Sequence, residues 1–156
     1  MAREYFEDCH IGDRVVTAGR TITETDIVMF AALTGDWSSL HTDAEYARTS
    51  IFGERIAHGM LTLVAGTALL FRLGENGLLP KSMIAIAAME KVRFVAPVRI
   101  GDTIRLECEI FEMTKTFNQR GIIGLKYRIR NQRDEAIITA RVNVLVGCRQ
   151  SGEYRP

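Results

Sequence analysis

The sequence predicts an α+β fold in which a single curved antiparallel sheet wraps a long central apolar helix. Three observations carry this expectation. Residues 59–73 have helical length, and Met60, Leu61, Leu63, Val64, Leu69, Leu70 and Phe71 do not restrict themselves to one stripe, so such a helix needs neighbours all round it. After the break at "GENGLLP", four stretches read as strands, most of them alternating apolar with polar residues. A chain of 156 residues fits one domain that can bury a real core without disulfides or metal. One layer of sheet curved over one helix satisfies all three.

Taken in order, residues 14–21 ("RVVTAGRT") read as a first strand. Thr23 offers an N-cap, with Asp26 three residues on where a capping acid helps, and "DIVMFAAL" follows as helix. Gly35 is placed to stop it. A second short helix runs through "DAEYART", begun by Thr42 or Asp43. The central helix follows, and then the strands "SMIAIAAMEKVRFVAP", "DTIRLECEIFEMT", "GIIGLKYRIRN" and "EAIITARVNVLVG". The first two are joined by the turn "PVRIGD" with Gly101, and the last two by the polar "NQRDE". The domain is expected over 1–148, with 149–156 a polar tail that frays.

Composition narrows the function classes. A formal charge of +1 gives no whole-protein reason to expect nucleic acid or an anionic membrane as partner. Three cysteines, Cys9, Cys108 and Cys148, are an odd number without a CxxC pair, which argues against a disulfide framework. The start carries acids where an export signal needs an apolar run, and the uncharged stretch at 59–71 is too short to span a bilayer. A reduced, cytoplasmic protein is the expectation.

Few residues offer chemistry. A zinc site would draw on His10, His41, His58 and Cys9, but adjacent Cys9–His10 is not ligand spacing and no HxxxH is present. Ser38 or Ser39 with His41 and Asp36 makes a triad only on paper, since no GxSxG elbow accompanies it. Gly121 and Gly124 lie in a strand without a phosphate-loop pattern. Arg128, Arg130 and Arg133 lack interleaved aromatics and read as a solvated face. Asp36 with His41 on one loop, and "IAHGM" at 56–60, remain. Each alone reads as ordinary structure; together they supply a base, an orienter and a helix end that favours negative charge.

These residues carry a resemblance. "FAALTGDWSSLHTDAEYA" (30–47) resembles the hydratase motif of the MaoC-like dehydratases and (R)-specific enoyl-CoA hydratases, matching it at Phe30, Leu33, Thr34, Gly35, Asp36, Leu40, His41 and Ala47. "IAHGML" (56–61) resembles their second signature, and "RFVAPVRIGDTI" (93–104) a segment shared widely by hot-dog folds, thioesterases included. The likeness extends over most of 10–147. It departs where the motif has Asn-Pro and this chain has Ser38-Ser39, giving up proline's fixed φ.

The resemblance implies a hot-dog fold, a homodimer or a multiple of it, and reversible hydration of a trans-2-enoyl thioester. Asp36 would be the base, His41 its partner on the attacking water, and the N–H of Gly59 the oxyanion donor. His58 would shape the turn; Ser38, His58 and Thr67 are candidates for the substrate side, with Arg93 or Arg99 meeting the phosphates of the carrier. No metal or redox cofactor is implied, and coenzyme A or an acyl carrier protein would be the carrier. A hot-dog thioesterase and a non-catalytic acyl-thioester-binding subunit are the alternatives.

Overall fold

The computed structural model describes residues 3–74 and 77–150. After a 3-10 turn at Phe6–Asp8 come strands β1 (Arg14–Val16) and β2 (Arg20–Thr21), then helices α1 (Glu24–Thr34), α2 (Ser39–Thr42), α3 (Ala44–Thr49) and α4 (Gly59–Phe71). The long strands follow: β3 (Met83–Phe94), β4 (Thr103–Thr116), β5 (Arg120–Arg130) and β6 (Ala136–Gly147). The six strands form one sheet in the order β1-β4-β5-β6-β3, with β2 also on β4, and each of these pairings is antiparallel.

Local chemistry sets the helix ends. Thr23 and Asp26 form the expected capping box on α1, and Gly35 closes it in the left-handed region at φ 79°. Asp43 caps α3 by accepting from the N–H groups of Glu45 and Tyr46. The predicted first strand is not continuous. Thr17 donates its N–H to Leu106 O at 2.9 Å, but its hydroxyl, not a carbonyl, accepts from Leu106 N–H at 3.0 Å. That substitution breaks the ladder, and pairing with β4 resumes only at Arg20.

The core lies between α4 and the concave side of the sheet. Along β4, Ile104, Leu106, Cys108 and Ile110 alternate inward, and Ile123, Leu125, Val142 and Val144 do the same on the neighbouring strands. Gly66 lets the helix touch them: a Cβ there would meet Ile129 Cδ1 at 2.3 Å. A mid-helix glycine costs about 1 kcal/mol against alanine, which the close approach of helix to sheet offsets.

The helix is not hidden on every side as its composition suggested. Met60, Val64, Ala68 and Phe71 form an open stripe, with Val64 57% exposed. Beside it stands β3, a sheet edge exposing Ile84, Ile86 and Phe94. One chain supplies sheet for only part of the helix circumference. Burial pushes the Cys9 thiol up to about 11 and the Cys108 thiol up to about 12, and all three cysteines are free. Arg149 bonds Glu7 and Asp8, so the chain is still tied down where the tail was expected to begin; 151–156 lie outside the described residues. No helix among the described residues is long and apolar enough to cross a membrane.

Leu69 is 2% exposed, so Leu69→Ala is expected to cost about 2–5 kcal/mol through lost burial and the cavity left behind. Val64 is 57% exposed and has less buried apolar area to lose, so Val64→Ala is expected to cost well under half of that in the isolated chain. Chemical denaturation of both variants at low protein concentration checks the contrast; equal losses would contradict the one-sided burial.

Candidate active site

The loop after α1 and the start of α4 build the site. Beyond Gly35 the chain turns through Asp36, whose N–H donates to Thr34 Oγ1 at 3.3 Å. The Asp36 carboxylate in turn accepts from Ser38 N–H at 3.3 Å. Ser38 stands at the N-cap of α2 and Ser39 is its first residue. That first helical position is where proline is favoured, so the Ser39 departure falls where a fixed φ would pre-set the turn. The turn forms nonetheless, closed by His41 N–H on Ser38 O at 3.0 Å. His41 therefore sits on a single helical turn instead of an open loop.

Two imidazoles meet the Asp36 loop. His41 donates from Nδ1 to the Ile56 carbonyl at 2.8 Å, which leaves Nε2 for other partners. His58, 2% exposed, donates from Nε2 to the Asp36 carbonyl at 3.0 Å. The same nitrogen is 4.0 Å from an Asp36 carboxylate oxygen. The two rings stack with centroids 3.9 Å apart, and Phe30 packs on His58 at 4.9 Å. Hydrogen bonds from the backbone N–H and then the side chain of Ser38 hold the Asp36 carboxyl below the ordinary aspartate range.

Donor atoms of Asp36, His41 and His58 lie within 4.8 Å of one another. One nitrogen of each ring is spent on a carbonyl, however, and the other His58 nitrogen is buried. Zinc sites use three or four protein ligands. The open donors are the Asp36 carboxylate and His41 Nε2, which is a proton-transfer pair more than a metal cage.

Gly59 opens α4, with His58 as its N-cap. The first N–H groups of a helix have no intrahelical acceptor and carry the positive end of its dipole. A Cβ on Gly59 would meet the Phe94 ring at 2.9 Å, so only glycine leaves the backbone this close to what Phe94 borders. His41, Gly59 and Thr62 line a cleft of about 350 Å³ whose other walls include Phe52, Phe94 and Ile138. That size and apolar lining suit a small apolar group.

The other predicted residues are placed apart. Thr67 is on α4, eight residues from Gly59 and so about 12 Å along the helix, buried with a hydroxyl that has no partner among the described residues. Arg93 lines a separate groove with Lys91, Lys126, Arg128 and Arg141. It pairs with Thr139 while Phe94 pairs with Ile138, so alternation turns it away from the cleft. Arg99 is 2.6 Å from the Glu54 carboxylate and reaches Phe52 O. Sequence reasoning missed the Ile56 carbonyl that orients His41, because a backbone acceptor leaves no residue-type signal. It also missed Phe94, whose place over Gly59 depends on sheet pairing.

The model of the MaoC like domain matches residues 8–129. The chain is 44% identical to Protein MaoC of Klebsiella aerogenes over 69% of its own length and 31% of that protein's. It is 43% identical to the (R)-specific enoyl-CoA hydratase of Rhodospirillum rubrum, over 64% of this chain and 65% of the relative. The chain thus spans less than two thirds of either curated relative. Among solved structures, a monoamine oxidase regulatory protein from Archaeoglobus is 39% identical with a TM-score of 0.89, covering 96% of this chain and 99% of that one. A Mycobacterium tuberculosis protein described as a double hot-dog fold shares the fold at TM-score 0.76 and 19% identity, over 99% of this chain and 46% of its own. With a hot-dog fold and the family model matched over most of its length, this chain belongs to the MaoC-like dehydratase family.

Proposed function

We propose that the chain adds water reversibly to a trans-2-enoyl thioester, giving the (R)-3-hydroxyacyl thioester. The observation that carries this reading is the meeting of the Asp36 carboxylate, the open Nε2 of His41 and the α4 N-terminus at Gly59 beside an apolar cleft. The R. rubrum relative's name, an (R)-specific enoyl-CoA hydratase, supports the same substrate and hand.

Hydration needs a base for water, a proton for C2 and a partner for developing negative charge. Asp36 takes a proton from water as the oxygen bonds to C3. The C2=C3 electron pair moves onto the thioester oxygen, where the Gly59 N–H and helix dipole stabilise it. As the enolate collapses, the proton carried by Asp36 passes to C2, so the elements of one water are added. His41 holds the same water through Nε2. Asp36 is held as a carboxylate in the free protein, and displacement of water by the acyl group would strengthen it as a base. The reaction calls for no metal or redox cofactor; coenzyme A or an acyl carrier protein serves as carrier. Crotonyl-CoA separates the alternatives. Loss of enoyl absorbance marks hydration, free thiol marks a thioesterase, and neither, with binding retained, marks a non-catalytic subunit.

The active form we propose is a homodimer, or a multiple of it. The stripe of α4 and the edge strand β3 are both uncovered among the described residues, and the two elements meet where Gly59 faces Phe94; a second copy would cover both. Analytical ultracentrifugation at micromolar concentration is expected to show a dimer that Val64→Glu dissociates. A fully active wild-type monomer would sink the proposal.

Asp36→Asn keeps size and removes the base, so thioester binding should survive while kcat falls on the order of 10²–10⁴-fold. His41→Ala should cost a comparable factor. Because both serve one water, the double mutant should be little worse than the worse single one. Losses that add independently, or an Asp36→Asn protein within a few-fold of wild type, would remove Asp36 from the mechanism.

The pH profile gives a further check. A carboxyl held low stays ionised to lower pH, so the acid limb of kcat/KM should lie below the ordinary aspartate range. Ser38→Ala removes the hydroxyl bond but keeps the N–H, and should move that limb to higher pH. A limb that stays in place would show that the Ser38 hydroxyl does not tune the base.

A further inference from the structure

We infer that His58 is a positioning residue for the base, acting through the Asp36 backbone and the His41 ring without touching substrate. This rests on the hydratase reading above. The family resemblance implies for His58 the shaping of its own turn beside the oxyanion donor, and a candidate place on the substrate side. Its geometry gives it a different task.

His58 is the N-cap of α4 but makes no capping bond with its side chain. Its Nε2–H goes instead to the carbonyl of Asp36, 22 residues earlier, at 3.0 Å. The residue held in this way is the one whose carboxylate would take the proton. The other face of the contact is the His41 ring, 3.9 Å away and tilted by 33°. One imidazole therefore touches both members of the proposed proton-transfer pair. At 2% exposure it offers a substrate almost no surface, which separates it from a catalytic residue.

The second ring nitrogen strengthens the inference. His58 Nδ1 is buried with no hydrogen-bond partner among the described residues, and an unpaired buried acceptor is a cost to the fold. Leucine or phenylalanine would pack against Phe30 without it. A side chain kept only for packing has no use for that nitrogen. The gain lies in the other nitrogen, which ties the Asp36 loop to the rigid start of α4. Positioning matters here because a displacement of about 1 Å in a reacting group can cost on the order of 10²-fold in rate.

Three variants test this. His58→Gln places an amide N–H near the position of Nε2, His58→Asn stops short at the level of Nδ1, and His58→Leu keeps volume without a donor. Crotonyl-CoA hydration is expected to fall about 10- to 100-fold in kcat for the Asn and Leu proteins, with KM within about threefold because substrate contacts are intact. The Gln protein should recover most of the loss. A readout independent of activity comes from Trp37, the single tryptophan of the chain and the neighbour of Asp36. Its fluorescence anisotropy should decay faster in the Asn and Leu proteins and return toward wild type in Gln. If wild type does not hydrate crotonyl-CoA, the hydratase reading fails, and the anisotropy series still decides whether His58 holds the loop. A Leu or Asn protein with wild-type kcat and anisotropy overturns the inference. So does a Gln protein as impaired as Asn, or a loss of kcat that merely follows a fall in melting temperature. Should Leu fail to fold, the Gln–Asn pair carries the same comparison, since both are polar and differ by one methylene.

Discussion

Where α4 crosses β5, Gly66 has no side chain and Ile129 fills the space. That contact fixes how deep the helix sits in the curved sheet, and the position of its first turn follows. His58 and Gly59 can then meet Phe94 on one side and the Asp36 loop on the other. The cleft exists because the helix end is held against β3 while the loop after α1 is drawn in from the opposite direction. Packing in the core thus sets the geometry of a site several residues away from it.

Much of that site is backbone. The Ile56 carbonyl orients His41, the Asp36 carbonyl receives His58, and the Ser38 N–H supports the carboxylate. Backbone groups have no side-chain rotamers, so once the turns are folded no further χ freedom has to be frozen to aim them. Their precision depends instead on the turns that present them. Gly35 in the left-handed region and the single turn of α2 are therefore as much part of the chemistry as the side chains they carry.

Features set by neighbours in sequence were legible beforehand. The Thr23–Asp26 box, the Gly35 stop, the extent of α4 and the alternating strands follow from propensity and period. Asp36 and His41 were singled out by their interval, and the structure brings their side chains within reach of each other. Features set by partners distant in sequence were not legible. Thr17 breaks its strand because its hydroxyl meets Leu106, and Val64 is open because the sheet ends at β3. The turning of Arg93 away from the cleft depends on its register with Thr139. An apolar residue type announces a wish for burial, but not which surface provides it.

The strand order carries a consequence for how the molecule comes together. β3 follows α4 directly, yet its neighbour in the sheet is β6, the last strand among the described residues, with Phe94 opposite Ile138 and Met83 opposite Val146. A ribosome adding residues in order releases the most apolar helix of the described chain and then a twelve-residue strand well before the segment that pairs with it. During that interval β4 and β5 can close as a hairpin, but β3 waits with its ladder unsatisfied and its loop-closure entropy unrecovered. Until β6 is made, the apolar face of α4 and the unpaired ladder of β3 are both open, the condition under which partly folded chains associate.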